Sequence, residues 1–277
     1  MACYGLPVLY ALFLWWFSTG LILYLDGLPR RTYRWSLAAA TLVLGLAMYG
    51  VGASAADATP AGAYLAFTCG VLVWGWQEMA FLMGGLTGPR RHACPEGCVG
   101  WRHAVHAVQA ILYHELALAA GALVVVLLSW GGTNRVAAWT YLILWVMRTS
   151  AKLNLFLGVP NLQREFLPAH LQFLGSFLRR APMNLLFPVS ITGATVVAAI
   201  LVQRAAAADG ASFDAAGFTF LATMLGLAVI EHWILVLPLP AASLWRWSLR
   251  SRSRPPLHAE RECGILPRDP ALPPAMP

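Results

Sequence analysis

Seven long apolar runs, at roughly 5–25, 35–55, 62–86, 103–130, 136–157, 183–203 and 216–240, decide what this chain can fold into. A bilayer core about 30 Å thick is crossed by about 20 residues of helix, and a helix satisfies its own backbone N–H and C=O groups there without water. Of 277 residues, 59% are hydrophobic and 11% charged, whereas a soluble domain carries charge on roughly a quarter. Too little charge is present to cover a water-facing surface, so the surplus of Leu, Ala, Val and Trp must face lipid. The expected fold is all-α, a polytopic membrane helix bundle of about seven transmembrane helices forming one domain over residues 1–245. From Arg246 the chain turns rich in Arg and Pro, which predicts a basic cytoplasmic tail over 246–277 without fixed structure.

Turn chemistry falls between the runs, at Asp26-Gly27-Leu28-Pro29, Thr59-Pro60-Ala61-Gly62 and Gly131-Gly132-Thr133-Asn134. No Lys or Arg precedes Arg30, so the first run lacks the basic flank of a cleaved signal and reads as a retained span. The net charge of +7 invites nucleic acid as a partner, but its distribution points to topology instead. Counted by alternate loops, 17 of the 19 Lys and Arg fall on one side and only Arg135 and Arg204 on the other. The basic side is cytoplasmic, which puts the N-terminus outside and the C-terminus inside. The loop at 168–180 spaces Leu171, Leu174, Phe177 and Leu178 as a helix would. It reads as an interfacial amphipathic helix or as a helix packed over the end of the bundle.

Ionisable residues inside a span cost several kcal/mol and mark either function or a paired interior contact. Here they gather at similar depth: Glu78 in the third run, His103, His106, His114 and Glu115 in the fourth, Arg148 and Lys152 in the fifth, Glu231 and His232 in the seventh. At 100° per residue, His106 and His114 lie about 300° and about 20° from His103, so the three imidazoles share a broad stripe. Three readings compete. Glu78, Glu115 and Glu231 neutralise Arg148 and Lys152 while the histidines bond between helices. Alternatively, imidazoles and carboxylates hold a metal, or an imidazole is the axial ligand of a tetrapyrrole. The candidate pigment- or metal-binding residues are therefore His103, His106, His114, Glu78, Glu231 and His232, with Glu115, Arg148 and Lys152 as ion-pair partners. Trp74, Trp76, Trp139 and Trp145 offer flat faces to a ring system or anchor the interface.

Cys94-Pro95-Glu96-Gly97-Cys98, near His92 and His103, has a spacing that zinc permits. A structural site needs four ligands, and the preferred reading is a tight turn bearing two unengaged thiols. No phosphate-cradling glycine loop, serine nucleophile elbow or H-E-x-x-H helix is present in the sequence.

Three stretches carry a resemblance: Trp101–Glu115 (WRHAVHAVQAILYHE), Ser150–Leu171 (SAKLNLFLGVPNLQREFLPAHL) and Arg179–Ser190 (RRAPMNLLFPVS). With their surroundings they cover roughly Gly70 to Ile200, and they resemble the PuhE-type photosynthetic complex assembly family. The resemblance implies a multi-pass protein of the bacterial inner, or intracytoplasmic, membrane. Its partners would be reaction-centre or core-antenna subunits, and its role assembly or the supply of bacteriochlorophyll or a precursor. It carries no catalytic residues with it, and an assembly factor is expected rather than an enzyme. The alternative is a metal-dependent membrane oxidoreductase acting on a tetrapyrrole or lipid.

Overall fold

The computed structural model describes residues 2–253 of the chain. The apolar runs become seven long helices: α1 (Ala2–Asp26), α2 (Tyr33–Ser54), α3 (Pro60–Leu82), α4 (Gly100–Leu128), α5 (Val136–Leu157), α6 (Leu186–Ala207) and α7 (Phe213–Val236). Local chemistry starts two of them. Thr59 accepts from the Gly62 N–H at 3.1 Å ahead of Pro60, which needs no N–H partner at the first helical position. Ser212 accepts from Ala215 N–H at 3.2 Å to begin α7. Asn134 joins the α2–α3 and α4–α5 turns: its side-chain amide donates to the Asp57 and Gly62 carbonyls at 3.1 and 2.9 Å.

Six of the seven helices are long and apolar enough to cross a membrane. α5 is the exception, diluted by Arg148, Lys152, Ser150 and Asn154. Its ends nevertheless meet the same two ends of the bundle as its neighbours. Asn134, just before it, holds the α2–α3 turn, while beyond its last turn Asn161 N–H donates to the Leu235 carbonyl of α7 at 3.1 Å. α3 and α7 form the centre, burying 61% and 56% of their most apolar windows, whereas α1, α2, α4 and α6 bury 11–28% and present the rest outward. The central contact is aromatic: Phe67 of α3 stacks on Phe220 of α7 at 4.4 Å, with Tyr10 of α1 and Tyr64 edge-on.

The 168–180 loop takes the second of its two readings, a helix packed over the end of the bundle, though not an α-helix. Ala169–Phe177 winds as a 3₁₀ helix, and Leu171, Leu174 and Phe177 are buried with Leu23, Phe81, Leu82 and Ala110 over the bundle end. Its apolar residues follow both periods, and the buried cap selects the tighter one. Nor does the tail begin at Arg246. Ala241–Trp245, α8 (Arg246–Leu249) and Arg250–Ser253 form three short helical turns docked on α1. Trp245 donates to the Trp16 carbonyl at 3.0 Å, Trp16 donates to the Leu244 carbonyl at 2.9 Å, and Arg252 grips Asp26 at 2.8 and 3.0 Å. Arg and Pro counts hide these anchors, because two tryptophans and one buried carboxylate do the holding. The rest of the expected tail lies outside the described residues.

Odd-numbered helices all end, and even-numbered ones all begin, at the end of the bundle that carries Asp26, Arg252 and Val159. A reporter fused after residue 277 is expected to read cytoplasmic and one inserted at 57–61 periplasmic, from the basic-residue asymmetry. Opposite labelling at both positions would reverse the orientation.

Candidate functional site

The ionisable side chains of α3, α4, α5 and α7 divide into an interior cluster and a separate set at the bundle end. In the cluster, Arg148 Nη2 donates to Glu78 Oε2 at 3.2 Å and Lys152 Nζ to Glu115 Oε1 at 2.6 Å. The cation pair sits four residues apart on one face of α5 and reaches a carboxylate on each of two other helices. Glu231 of α7 lies within electrostatic range of Arg148, and its Oε1 accepts from Trp15 Nε1 of α1 at 3.0 Å. Glu78 is nearly buried, with 11% of its side chain accessible, but 45% of the Arg148 side chain is accessible, and Glu231 is exposed. A charged face is thus left open within the long apolar helices.

His114 is fully buried against the Phe81 ring at 4.4 Å. Its Nε2 is 3.6 Å from Glu78 Oε1, too long for a hydrogen bond, and neither ring nitrogen has a hydrogen-bonding partner among the described residues. The backbone around it is held from outside α4: His114 N–H donates to the Thr87 carbonyl at 3.0 Å. The packed Phe81 ring and zero exposure leave no open face for a macrocycle at this imidazole.

The single histidine stripe on α4 therefore separates. His103 and His114 share a direction on the helix, but eleven residues put about 16 Å of rise between them. His103 and His106 turn instead to the 89–99 loop. His103 Nδ1 lies 3.3 Å from Cys94 Sγ, and His106 Nδ1 lies 3.3 Å from Cys98 Sγ and 3.7 Å from Cys94 Sγ. The thiols expected to be unengaged each meet an imidazole, because α4 starts two residues after Cys98 and brings the histidines of its first two turns back over the loop. Outside the spans, desolvation and the Cys98 thiol push the Cys94 thiol up from its ordinary range.

His232 also leaves the expected pocket. It is 1% exposed, and its Nδ1 donates to the Ala228 carbonyl at 2.9 Å, which leaves Nε2 as the acceptor from Ser150 Oγ at 2.9 Å. Ser190 and Asn154 complete this contact between α5, α6 and α7. Glu231, one residue earlier and 100° around α7, faces the charged cluster instead.

Composition and pattern gave no sign of two further features. Tyr141 is buried with its hydroxyl 2.7 Å from Gln77 Oε1 and 2.9 Å from the Leu118 carbonyl. A cavity of about 360 Å³ opens between Arg30, Tyr33, Thr87, Arg91 and His170. Burial and the Arg30 charge keep His170 below the ordinary histidine range. Among the tryptophans, Trp74 is buried edge-on to Tyr141, Trp76 donates to Thr41 Oγ1 at 3.0 Å, and Trp139 lines a cavity of about 340 Å³ at the opposite end.

The segments that carry the resemblance meet around this region. Asn184 donates to the Asn154 and Gly158 carbonyls, Val159 pairs with Arg180, and His103 stacks on Phe156 and tilts against Phe177. A family model described as "Protein of unknown function (DUF3623)" matches residues 1–256. The chain is similar to a Rhodobacter capsulatus protein described as "Uncharacterized 30.4 kDa protein in puhA 5'region". The two are 41% identical over 256 residues, which cover 90% of this chain and 92% of the relative. No solved structure matches the chain.

Proposed function

Since the chain belongs to the DUF3623 family, we propose that it is a seven-span inner-membrane factor, N-terminus outside, that assists assembly of the photosynthetic reaction centre and core antenna. The accessible Arg148–Glu231 face carries this reading. An ionisable side chain at membrane depth faces the bundle interior, a water-filled cavity or a polar partner. Here both charges retain accessible surface while holding contacts to Glu78 and Trp15. A nascent subunit helix with a polar side chain, or the polar edge of a bacteriochlorophyll or its precursor, would cover that face on docking. The photosynthetic setting is supported by the PuhE-like motifs and by the relative, whose description puts it 5' of puhA. The oxidoreductase alternative has less support, since His103 and His106 point away from the interior cluster and no metal-capable cluster lies within it among the described residues.

Glu231→Gln tests the proposal cleanly. A glutamine carbonyl accepts the Trp15 N–H as the carboxylate does, so folding is kept while the charge is removed. In a phototrophic host lacking the native protein, the variant is expected to accumulate within about twofold of wild type. Membrane absorption from the reaction centre and core antenna is expected to fall by about tenfold, a docking loss of ~1.4 kcal/mol. Full complementation by Glu231→Gln would remove the charged face from the function, and loss of the protein itself would make Glu231 a structural residue.

A further inference from the structure

We propose that Cys94, Cys98, His103 and His106 form a tetrahedral zinc site that fastens the 89–99 loop to the start of α4. This inference does not depend on the photosynthetic reading. It rests first on distance. With Zn–S near 2.3 Å and Zn–N near 2.0–2.1 Å, a tetrahedral ion holds its sulfur and nitrogen ligands about 3.5 Å apart. The sulfur–Nδ1 separations here are 3.3, 3.3 and 3.7 Å. Cys94, Cys98 and His106 each offer one donor atom, all within 4.8 Å of one another; His103, one helical turn earlier, stands outside that group of three, with its Nδ1 3.3 Å from the Cys94 sulfur.

The backbone is arranged to hold those donors in place. Gly97 and Gly100 take φ of +74° and +63°, which turns the loop tightly enough to return Cys98 beneath the first turn of α4. Cys98 N–H closes the turn on the Pro95 carbonyl, and Cys94 N–H donates to Ser176 Oγ at 2.9 Å in the 3₁₀ cap. His103 is held against the Phe156 ring at 5.4 Å and the Phe177 ring at 5.8 Å. His103 and His106, three apart at the beginning of a helix, face the same way.

Donor chemistry selects the ion. Thiolate with imidazole suits zinc and excludes calcium and magnesium, which take oxygen ligands. On binding, two thiol protons pass to solvent, and two thiolates balance the divalent charge, so the filled site is neutral beside the apolar cap. Four protein donors leave no open position, which is the form of a structural rather than a hydrolytic zinc. The ion would tie α4, the loop and the cap together at the end of the bundle where Arg90, Arg91 and Arg102 cluster in sequence.

The full chain, purified in mild detergent without chelator, tests this by elemental analysis and by peptide-resolved alkylation of the two thiols. The expected result is about one zinc per chain, with Cys94 and Cys98 protected from alkylation until a strong chelator is added. Zinc should fall at least fivefold in Cys94→Ser/Cys98→Ser and in His106→Ala, while His92→Ala, an exposed neighbour outside the cluster, keeps it. The wild-type measurements stand even where a ligand variant fails to accumulate. Zinc in the wild type no higher than in the double-serine variant would overturn the site. So would free alkylation of both thiols before chelation, or stoichiometric iron or copper in place of zinc.

Discussion

Replacing Glu78 with leucine is expected to destabilise the protein by about 2–4 kcal/mol, less than the loss of a fully buried partner because 45% of the Arg148 side chain stays accessible and Glu231 remains within its range. Glu78 joins three elements: it accepts from Arg148 of α5 at 3.2 Å, sits 3.6 Å from His114 of α4, and belongs to α3 at the centre of the bundle. Leucine fills similar space but leaves the guanidinium without its carboxylate. The midpoint of thermal unfolding in detergent should fall by on the order of 10 °C, and accumulation in cells several-fold. The double variant Glu78→Leu/Arg148→Leu removes both charges and is expected to recover most of the loss, since an apolar pair of similar volume often replaces a buried ion pair without cost. A Glu78→Leu protein that unfolds within a degree of wild type would show that the pair contributes nothing to the fold.

Arg252→Leu is expected to have an effect of the same order, about 3–5 kcal/mol, from a position that composition assigns to a loose tail. The Asp26 side chain is fully buried at the end of α1, and Arg252 donates to both of its oxygens as well as to the Glu165 and Phe166 carbonyls. One guanidinium therefore holds α1, the chain before the 3₁₀ cap and the C-terminal turns together, and its planar fork suits a bidentate carboxylate as lysine's point charge does not. Arg252→Lys should recover only part of the stability. Asp26→Asn/Arg252→Leu should recover more, because it removes the stranded carboxylate. Thermal unfolding of the purified variants checks the series, and an Arg252→Leu midpoint equal to wild type would return residues 246–253 to the status of a dispensable tail.

Close packing explains why the loop bearing the cysteines is so tightly placed. A Cβ at Gly88 would stand 1.9 Å from the Gln109 carbonyl oxygen and 2.7 Å from the Ala110 carbonyl carbon, both backbone atoms of α4 that cannot swing aside. Gly88→Ala is expected to cost about 1–3 kcal/mol by overpacking and to lengthen the Arg90 N–H contact to the Gln109 carbonyl, now 3.4 Å. Unfolding measurements on the variant give the first quantity directly.

Much of this molecule was legible in its residue order, for a definite reason. Lipid imposes a length and a polarity on every crossing segment, so the runs from 5–25 to 216–240 predicted seven helices whose observed limits differ by only a few residues. The same rule marked Glu78, Glu115, Arg148, Lys152 and Glu231 as residues that need partners, because an ionisable group is costly there whatever surrounds it. What the linear pattern could not carry was height and partner. A helical wheel gives direction around the axis, so His103, His106 and His114 read as one stripe although about 16 Å separates its ends. Glu231 and His232 are adjacent in the chain and face different neighbours. Cys94 and Cys98 had no imidazole neighbours until α4 folded back over their loop, and Asp26 lacked its partner until residue 252 returned to the end of α1. Apolar length is a local property fixed by the solvent the chain must enter. Which polar groups meet depends on contacts between residues up to 229 positions apart, and only the packed bundle brings those within bonding distance.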